Sequence, residues 1–129
     1  MKKLSKSWLI AGIGFLAISA PLFAHHGRAG YDLAKIATVK GTVTAVEFVN
    51  PHVLLQLNVK ANSGSVEKWQ VEGTSPNMLV REGWLKNTVK LGDEITATGH
   101  PAKDGAKALR IEKLVLSNGQ ELTFLGPGS

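Results

Sequence analysis

The sequence predicts an all-β domain: a barrel of five or six short strands, partly open, with one short helix between the third and fourth strands. Three observations predict it. Segments rich in β-branched residues alternate with period two and are separated by turn signals. The period changes once, to a helical one, in TSPNMLVREGW (74–84). The resulting order is three strands, a helix, two strands and a short extra strand.

The elements follow in chain order. Lys2, Lys3 and Lys6 form a basic stretch, Trp8 to Ile18 an apolar core, and Ser19 to Ala24 a small-residue end. That is the pattern of an export signal cleaved after Ala24. The apolar run falls short of the roughly 20 residues that span a membrane, so no span is expected after cleavage. Residues 25–37 are mixed and unperiodic and read as an N-terminal arm. From Thr38 the chain turns strand-like. Val39, Gly41, Val43, Ala45 and Glu47 share one face; Lys40, Thr42, Thr44, Val46 and Phe48 share the other. Asn50-Pro51 signals a turn. His52 to Lys60 is the second strand, with Val53, Leu55, Leu57 and Val59 on one face. Asn62 to Ser65 makes a hairpin turn, and Val66 to Glu72 is the third strand, with Trp69 and Val71 in phase. Ser75 can cap a helix, Pro76 suits its first position, Met78, Leu79 and Val80 supply its apolar side, and Gly83 ends it. Lys90 to Asp93 is a turn. Glu94 to His100 is the fourth strand, Pro101 to Ala106 a loop, and Ala108 to Leu116 the fifth strand. Asn118-Gly119 marks a hairpin. Glu121 to Leu125 is a short sixth strand, and 126–129 a tail.

That order is the order of an OB-fold, a Greek-key barrel whose ligands bind near the loops joining strands 1–2 and 4–5. A β-sandwich is the alternative, but it needs no helix in the middle. The 129 residues allow one domain. Fifteen basic residues face ten acidic ones, and three of the lysines leave with the leader. No basic run survives, which together with export argues against nucleic acid. There is no cysteine, which excludes a disulfide framework, a lipid-anchored N-terminus, haem attachment, thiolate zinc and a cysteine nucleophile. A disulfide-free exported domain points to the bacterial periplasm. No Ser-His-Asp order, carboxylate pair or phosphate-cradling loop marks an enzyme.

The histidines carry what chemistry the sequence offers. Cleavage after Ala24 makes His25 the first residue, with His26 beside it. An N-terminal histidine chelates a metal through its amine and its imidazole, the arrangement called a histidine brace. Nitrogen ligands in tetragonal array suit Cu(II), which tops the affinity order for such sites. Zinc, held by three histidines and a water, is the second choice. His52 falls at the strand 1–2 turn and His100 at the entry to the 4–5 loop, two loops that flank one binding face. Twelve arm residues, extended at ~3.3 Å each, reach ~40 Å, enough to bring His25 there. Bland readings stand beside these: a chance N-terminal pair, a turn-supporting His52, an exposed loop His100. Asn50, with Pro51, is a candidate support for His52. Tyr31 and Asp32 either orient an imidazole or supply an axial oxygen, or dock the arm. Trp69 and Trp84 are core anchors or a ligand-stacking face. The reading is a periplasmic or secreted binding protein, possessing a Cu(II) site built on His25. The alternative is a metal-independent module holding a peptide, glycan or partner protein on the barrel. A copper oxidase is a third idea that no substrate groove marks.

These residues also carry a resemblance. AHHG (24–27), GTVTAVEFVNPHVLLQLNV (41–59), KWQVEG (68–73), SPNMLVREGW (75–84) and LGDEITATGHPAKDG (91–105) resemble a family of small exported bacterial proteins of unknown function. The resemblance implies a secreted or periplasmic β-barrel with no assigned activity. It points to His25, His26, Asn50, Pro51, His52 and Trp84. Where that family often has a basic residue after the fourth strand's glycine, this chain has His100.

Overall fold

The computed structural model describes residues 28–124. The expected leader, His25, His26, Leu125 at the end of the expected sixth strand and the 126–129 tail lie outside the described residues. After a 3-10 turn at Arg28–Gly30, the elements are β1 (Ala37–Glu47), β2 (Leu54–Lys60), β3 (Val66–Glu72), α1 (Pro76–Arg81), β4 (Glu94–Pro101), β5 (Ala108–Val115) and β6 (Glu121–Thr123). The expected strand, helix and hairpin order holds throughout.

The strands lie in the order β3-β2-β1-β4-β5-β6. Sequential pairings are antiparallel, and β3 also meets β5 in parallel over Gln70–Glu72 and Ala108–Arg110. That short seam closes five strands into a barrel. Past the seam, β5 takes β6 as its neighbour instead, from Lys113 to Val115. Closure removes most of the exposed strand edge that an open sheet would leave.

Two bulges explain why the alternation in the sequence is imperfect. On β1, Val43 faces Leu57 and Ala45 faces Gln56, so Thr44 is an extra residue. An extra residue inverts the phase of all that follows. Val39 and Val43 therefore enter the core before it, and Val46 and Phe48 pack on the core after it. Glu47, expected on the face of Val43, is exposed for this reason. On β5, Ile111 lies opposite Gly99 and Lys113 opposite Thr98, leaving Glu112 extra. Leu109 and Ile111 point inward before the bulge and Leu114 after it. At Gly99 a Cβ would run into the Arg110 carbonyl, so the bulge depends on glycine there.

The core gathers Val53, Leu55, Leu57, Val71, Ile95 and Leu109, all essentially removed from water. α1 closes one end of it. Three consecutive residues at 100° spacing cannot share a face, so of Met78, Leu79 and Val80 only Leu79 is buried and Val80 stays exposed. Ser75 starts the helix through its backbone carbonyl, which accepts from the Met78 and Leu79 amides, and its hydroxyl makes no capping bond. Gly83 stops the helix at φ +90°, a conformation that glycine adopts freely. Trp84 follows at once and is 1 % exposed, its ring tilted against Phe124 at 5.3 Å and Phe48 at 6.4 Å between centroids. Truncating such a residue to alanine costs roughly 3–5 kcal/mol. Among the described residues no helix is long and apolar enough to cross a membrane.

Two glycine substitutions should separate close approach from backbone conformation. Gly99→Ala meets backbone and should destabilise by about 3 kcal/mol. Gly119→Ala, at φ +85° with open space around it, should cost only about 1 kcal/mol. Urea unfolding of both variants measures the difference, and equal costs would remove the bulge argument.

Candidate functional site

The site grows from one residue, Glu72, at the end of β3. It is the one polar or charged residue fully buried among the described residues. The β3–β5 seam sets Arg110 directly beside it, with the guanidinium Nη1 donating to Glu72 Oε1 at 3.1 Å. On the β2 side, the Val53 amide donates to the Thr74 carbonyl and the Gly73 amide to the Val53 carbonyl. These bonds extend the β2–β3 pairing and bring His52 alongside. Its Nδ1 lies 2.7 Å from Glu72 Oε1. The peptide bond Asn50-Pro51 that leads into it is cis. The N-terminal arm supplies the third partner: Tyr31 donates its hydroxyl to Glu72 Oε2 at 2.6 Å.

A buried carboxylate needs donors and a countercharge. Glu72 has three donors, and Arg110 supplies the positive charge. The charge of the pair is thus balanced without a charged His52. A carboxylate accepts, so in the neutral ring His52 donates from Nδ1 and the lone pair falls on Nε2. That Nε2 has no partner among the described residues, and the side chain is 31 % exposed. Burial, and then the Glu72 carboxylate, push the Tyr31 phenol well above its ordinary pKa. The phenol therefore stays a donor at every physiological pH. A histidine fixed through Nδ1 by a carboxylate, with Nε2 unpartnered, is an arrangement that can present imidazole to a metal. Among the described residues, no three His, Asp or Glu side chains gather as a metal cage.

His100 lies elsewhere in function. β4 runs through it to Pro101, so it is a strand residue paired with Arg110 rather than the exposed loop histidine of the bland reading. Its Nδ1 is 2.8 Å from the Lys35 carbonyl and its Nε2 2.6 Å from Glu112 Oε1. Both nitrogens are engaged, and its side chain makes no hydrogen bond to His52 or Glu72.

The arm is docked as an extra short pairing. Tyr31 bridges Ala102, the Asp32 amide donates to the Pro101 carbonyl, and the Lys103 amide donates to the Gly30 carbonyl. Tyr31 is 2 % exposed, as arm docking by an aromatic requires. The Asp32 carboxylate turns back on its own segment, accepting from the Ala34 amide and pairing with Lys35 at 3.2 Å. Lys35 holds that carboxyl below its ordinary range. Asn50 and Pro51 are exposed, and the Asn50 side chain makes no hydrogen bond to His52 or Glu72. Trp84 is sealed in the core and offers no face to a ligand. Trp69 is half-buried, donates Nε1 to Glu67, and has the Lys107 ammonium 5.8 Å over its ring. His25 and His26 lie outside the described residues.

Sequence reasoning missed Glu72, Arg110 and Glu112. Arg110 sits in the outward phase of LRI, and Glu72 ends a strand, but both read as solvated charges. Only the non-local parallel seam makes them partners. Glu72→Gln would leave the half-buried Arg110 guanidinium against a neutral amide, and should cost about 3 kcal/mol. Tyr31→Phe removes one hydrogen bond and should cost about 1 kcal/mol. Denaturant midpoints test the ranking, and equal losses would mean the carboxylate is not the hub.

Comparison with known proteins agrees with the fold. The crystal structure of the mitochondrial single-stranded DNA binding protein Rim1 from S. cerevisiae superposes with a TM-score of 0.51 at 9 % identity, over 64 % of this chain and 93 % of that one. At that identity the likeness shows an OB-fold barrel and nothing about ligands. A mutant of TiaS lacking its ZRD, in complex with agmatine, matches at TM-score 0.48 and 17 % identity, over 76 % of this chain and 24 % of that one. No curated relative matches the chain. The model of one family covers residues 14–110. With most of the barrel and the whole Tyr31–His52–Glu72–Arg110 cluster inside that span, the chain belongs to the family of unknown function DUF6152.

Proposed function

We propose that this is an exported binding protein that holds one Cu(II) ion between its mature N-terminus and His52. His25 supplies the amine and imidazole, His52 supplies Nε2, and His26 adds an imidazole or its backbone amide. The observation that carries the reading is the His52 Nδ1 contact with buried Glu72 at 2.7 Å. It ties down one ring nitrogen and leaves Nε2 without a partner among the described residues, on a side chain that is partly exposed. The arm supports it further. Tyr31, bound to the other oxygen of the same carboxylate, is only five positions after His26. Five residues span at most ~17 Å, so the N-terminal ligands stay within reach of the barrel's own histidine. The nitrogen-only donor set favours Cu(II), with Zn(II) as the competitor. His100 is left out of the ligand set, because its ring nitrogens both have protein partners.

A metal-independent module is the second reading. The groove between β1 and the α1–β4 connection favours it, with Val46, Phe48, Val89 and Leu91 along its sides and Lys86 and Lys90 beside them. A peptide, glycan or partner protein held there would leave the histidines structural.

Intact mass of the protein exported to the periplasm, purified without chelator, separates the two. The copper reading expects a denatured mass beginning at His25 and a native mass heavier by one copper. A mass beginning elsewhere, or a His25 terminus that gains no metal on adding Cu(II), sinks it.

A further inference from the structure

β1 is paired on both sides for only part of its length. β4 accompanies it from Ala37 to Thr42, while β2 runs beside it as far as Glu47. On the β4 side the last backbone bonds tie Val43 to the turn before β4. The Gly92 amide donates to the Val43 carbonyl, and the Val43 amide donates to the Asp93 carbonyl. Past Val43, among the described residues, no strand or backbone bond reaches β1 from that side. The edge over residues 44–47 therefore keeps N–H and C=O groups that no strand takes up. A groove of about 550 Å³ lies there, and Ala45 and Val46 both line it. Successive side chains of a strand point to opposite faces, so this groove follows the edge of β1 and not one of its faces. The α1–β4 connection is the opposite wall. Val89, 2 % exposed, roots it in the core, and Leu91 stands exposed beside it. Lys86 and Lys90 line the same wall, both exposed. Neither forms an ion pair among the described residues, whereas Lys35, Lys40, Lys107 and Lys113 each hold a carboxylate. The groove's lining includes no Asp or Glu, and none of its residues belongs to the Glu72 cluster.

We infer that the open edge of β1 at residues 44–47 docks an extended peptide segment of a partner protein, one that alternates apolar and acidic residues and adds to the barrel as a strand. The inference rests on the metal-independent reading above and gives its partner a chemistry. Strand addition draws affinity from main-chain hydrogen bonds and specificity from pockets for alternate side chains. Here the edge offers the bonds, and the apolar groove takes every second side chain. The two unpaired lysines select carboxylates on the others and set the approach by charge. An acyl chain would match the apolar walls but would cover backbone N–H and C=O groups without answering them, which is costly. A glycan would answer those groups but leave the apolar walls unmatched. An extended acidic peptide does both.

The test selects binders from a phage-displayed library of random peptides on the whole protein, with chelator present. The enriched peptide is then synthesised and its affinity measured at low salt. Amide exchange is followed over residues 44–47. The same measurements are made on Lys86→Glu combined with Lys90→Glu, a change confined to exposed side chains, and with a peptide N-methylated at alternate residues. We expect enriched peptides to alternate apolar and acidic residues, and their binding to slow exchange at 44–47. The double charge reversal should weaken binding about tenfold with an unchanged denaturant midpoint. N-methylation on the pairing side should abolish binding. Peptides that bind without slowing exchange at 44–47, or that ignore the charge reversal or the N-methylation, overturn strand addition and leave the metal-independent module standing. Decanoate that occupies the groove and displaces the enriched peptide without protecting those amides makes it an acyl site and overturns the inference. A selection that enriches no peptide overturns both the inference and the peptide form of that reading.

Discussion

A carboxylate taken out of water has to be answered on every side, and that constraint organises one end of this barrel. Glu72 is answered by a guanidinium from β5, an imidazole from the β1–β2 connection and a phenol from the N-terminal arm. Each comes from a different part of the chain. The ionised hydrogen bonds are worth more than neutral ones, but the net gain over an apolar replacement is small. What the cluster contributes is specificity. Only one register of the β3–β5 seam and one docking of the arm satisfy all the donors at once.

The surrounding architecture serves that meeting point. The seam is three residue pairs long, so Glu72 and Arg110 form a substantial part of what closes the barrel. The bulge at Glu112 turns β5 so that one acidic side chain faces His100 while Leu114 returns to the core. Gly99 accommodates the bulge from the neighbouring strand. Trp84, between Phe48 and Phe124, seals the core where α1 and β6 approach. The result is a rigid frame with a histidine held at its rim, which is how sites on OB-fold barrels are commonly carried, on loops positioned by strands.

The strands, the helix and the barrel class were legible in the sequence because they rest on local patterns. β-branched alternation marked the strands, Pro76 and Gly83 bracketed the helix, and Asn118-Gly119 marked the last hairpin. The bulges at Thr44 and Glu112 showed only as imperfect alternation, since a bulge leaves no residue signature apart from a phase error. The site was half legible. His52 drew attention by its type and its place after Asn50-Pro51, and Tyr31 by its aromatic character in a polar arm. Glu72 and Arg110 could not be found, because their roles arise from a parallel pairing between strands that are distant along the chain. A charge in the outward phase of a strand reads as solvated until something covers it. Here Tyr31 does so. Trp84 drew notice as a core anchor or a ligand face, and it is core.

The account turns on Glu72 holding His52 as its Nδ1–H tautomer. Nitrogen-15 NMR of the histidine rings in the metal-free protein, at a pH where the His52 ring is neutral, reads that directly. The account predicts a protonated Nδ1 and a bare Nε2 for His52, with the Nδ1 proton slow to exchange. A His52 ring that carries its proton on Nε2, or averages between tautomers as an imidazole in water does, would contradict it.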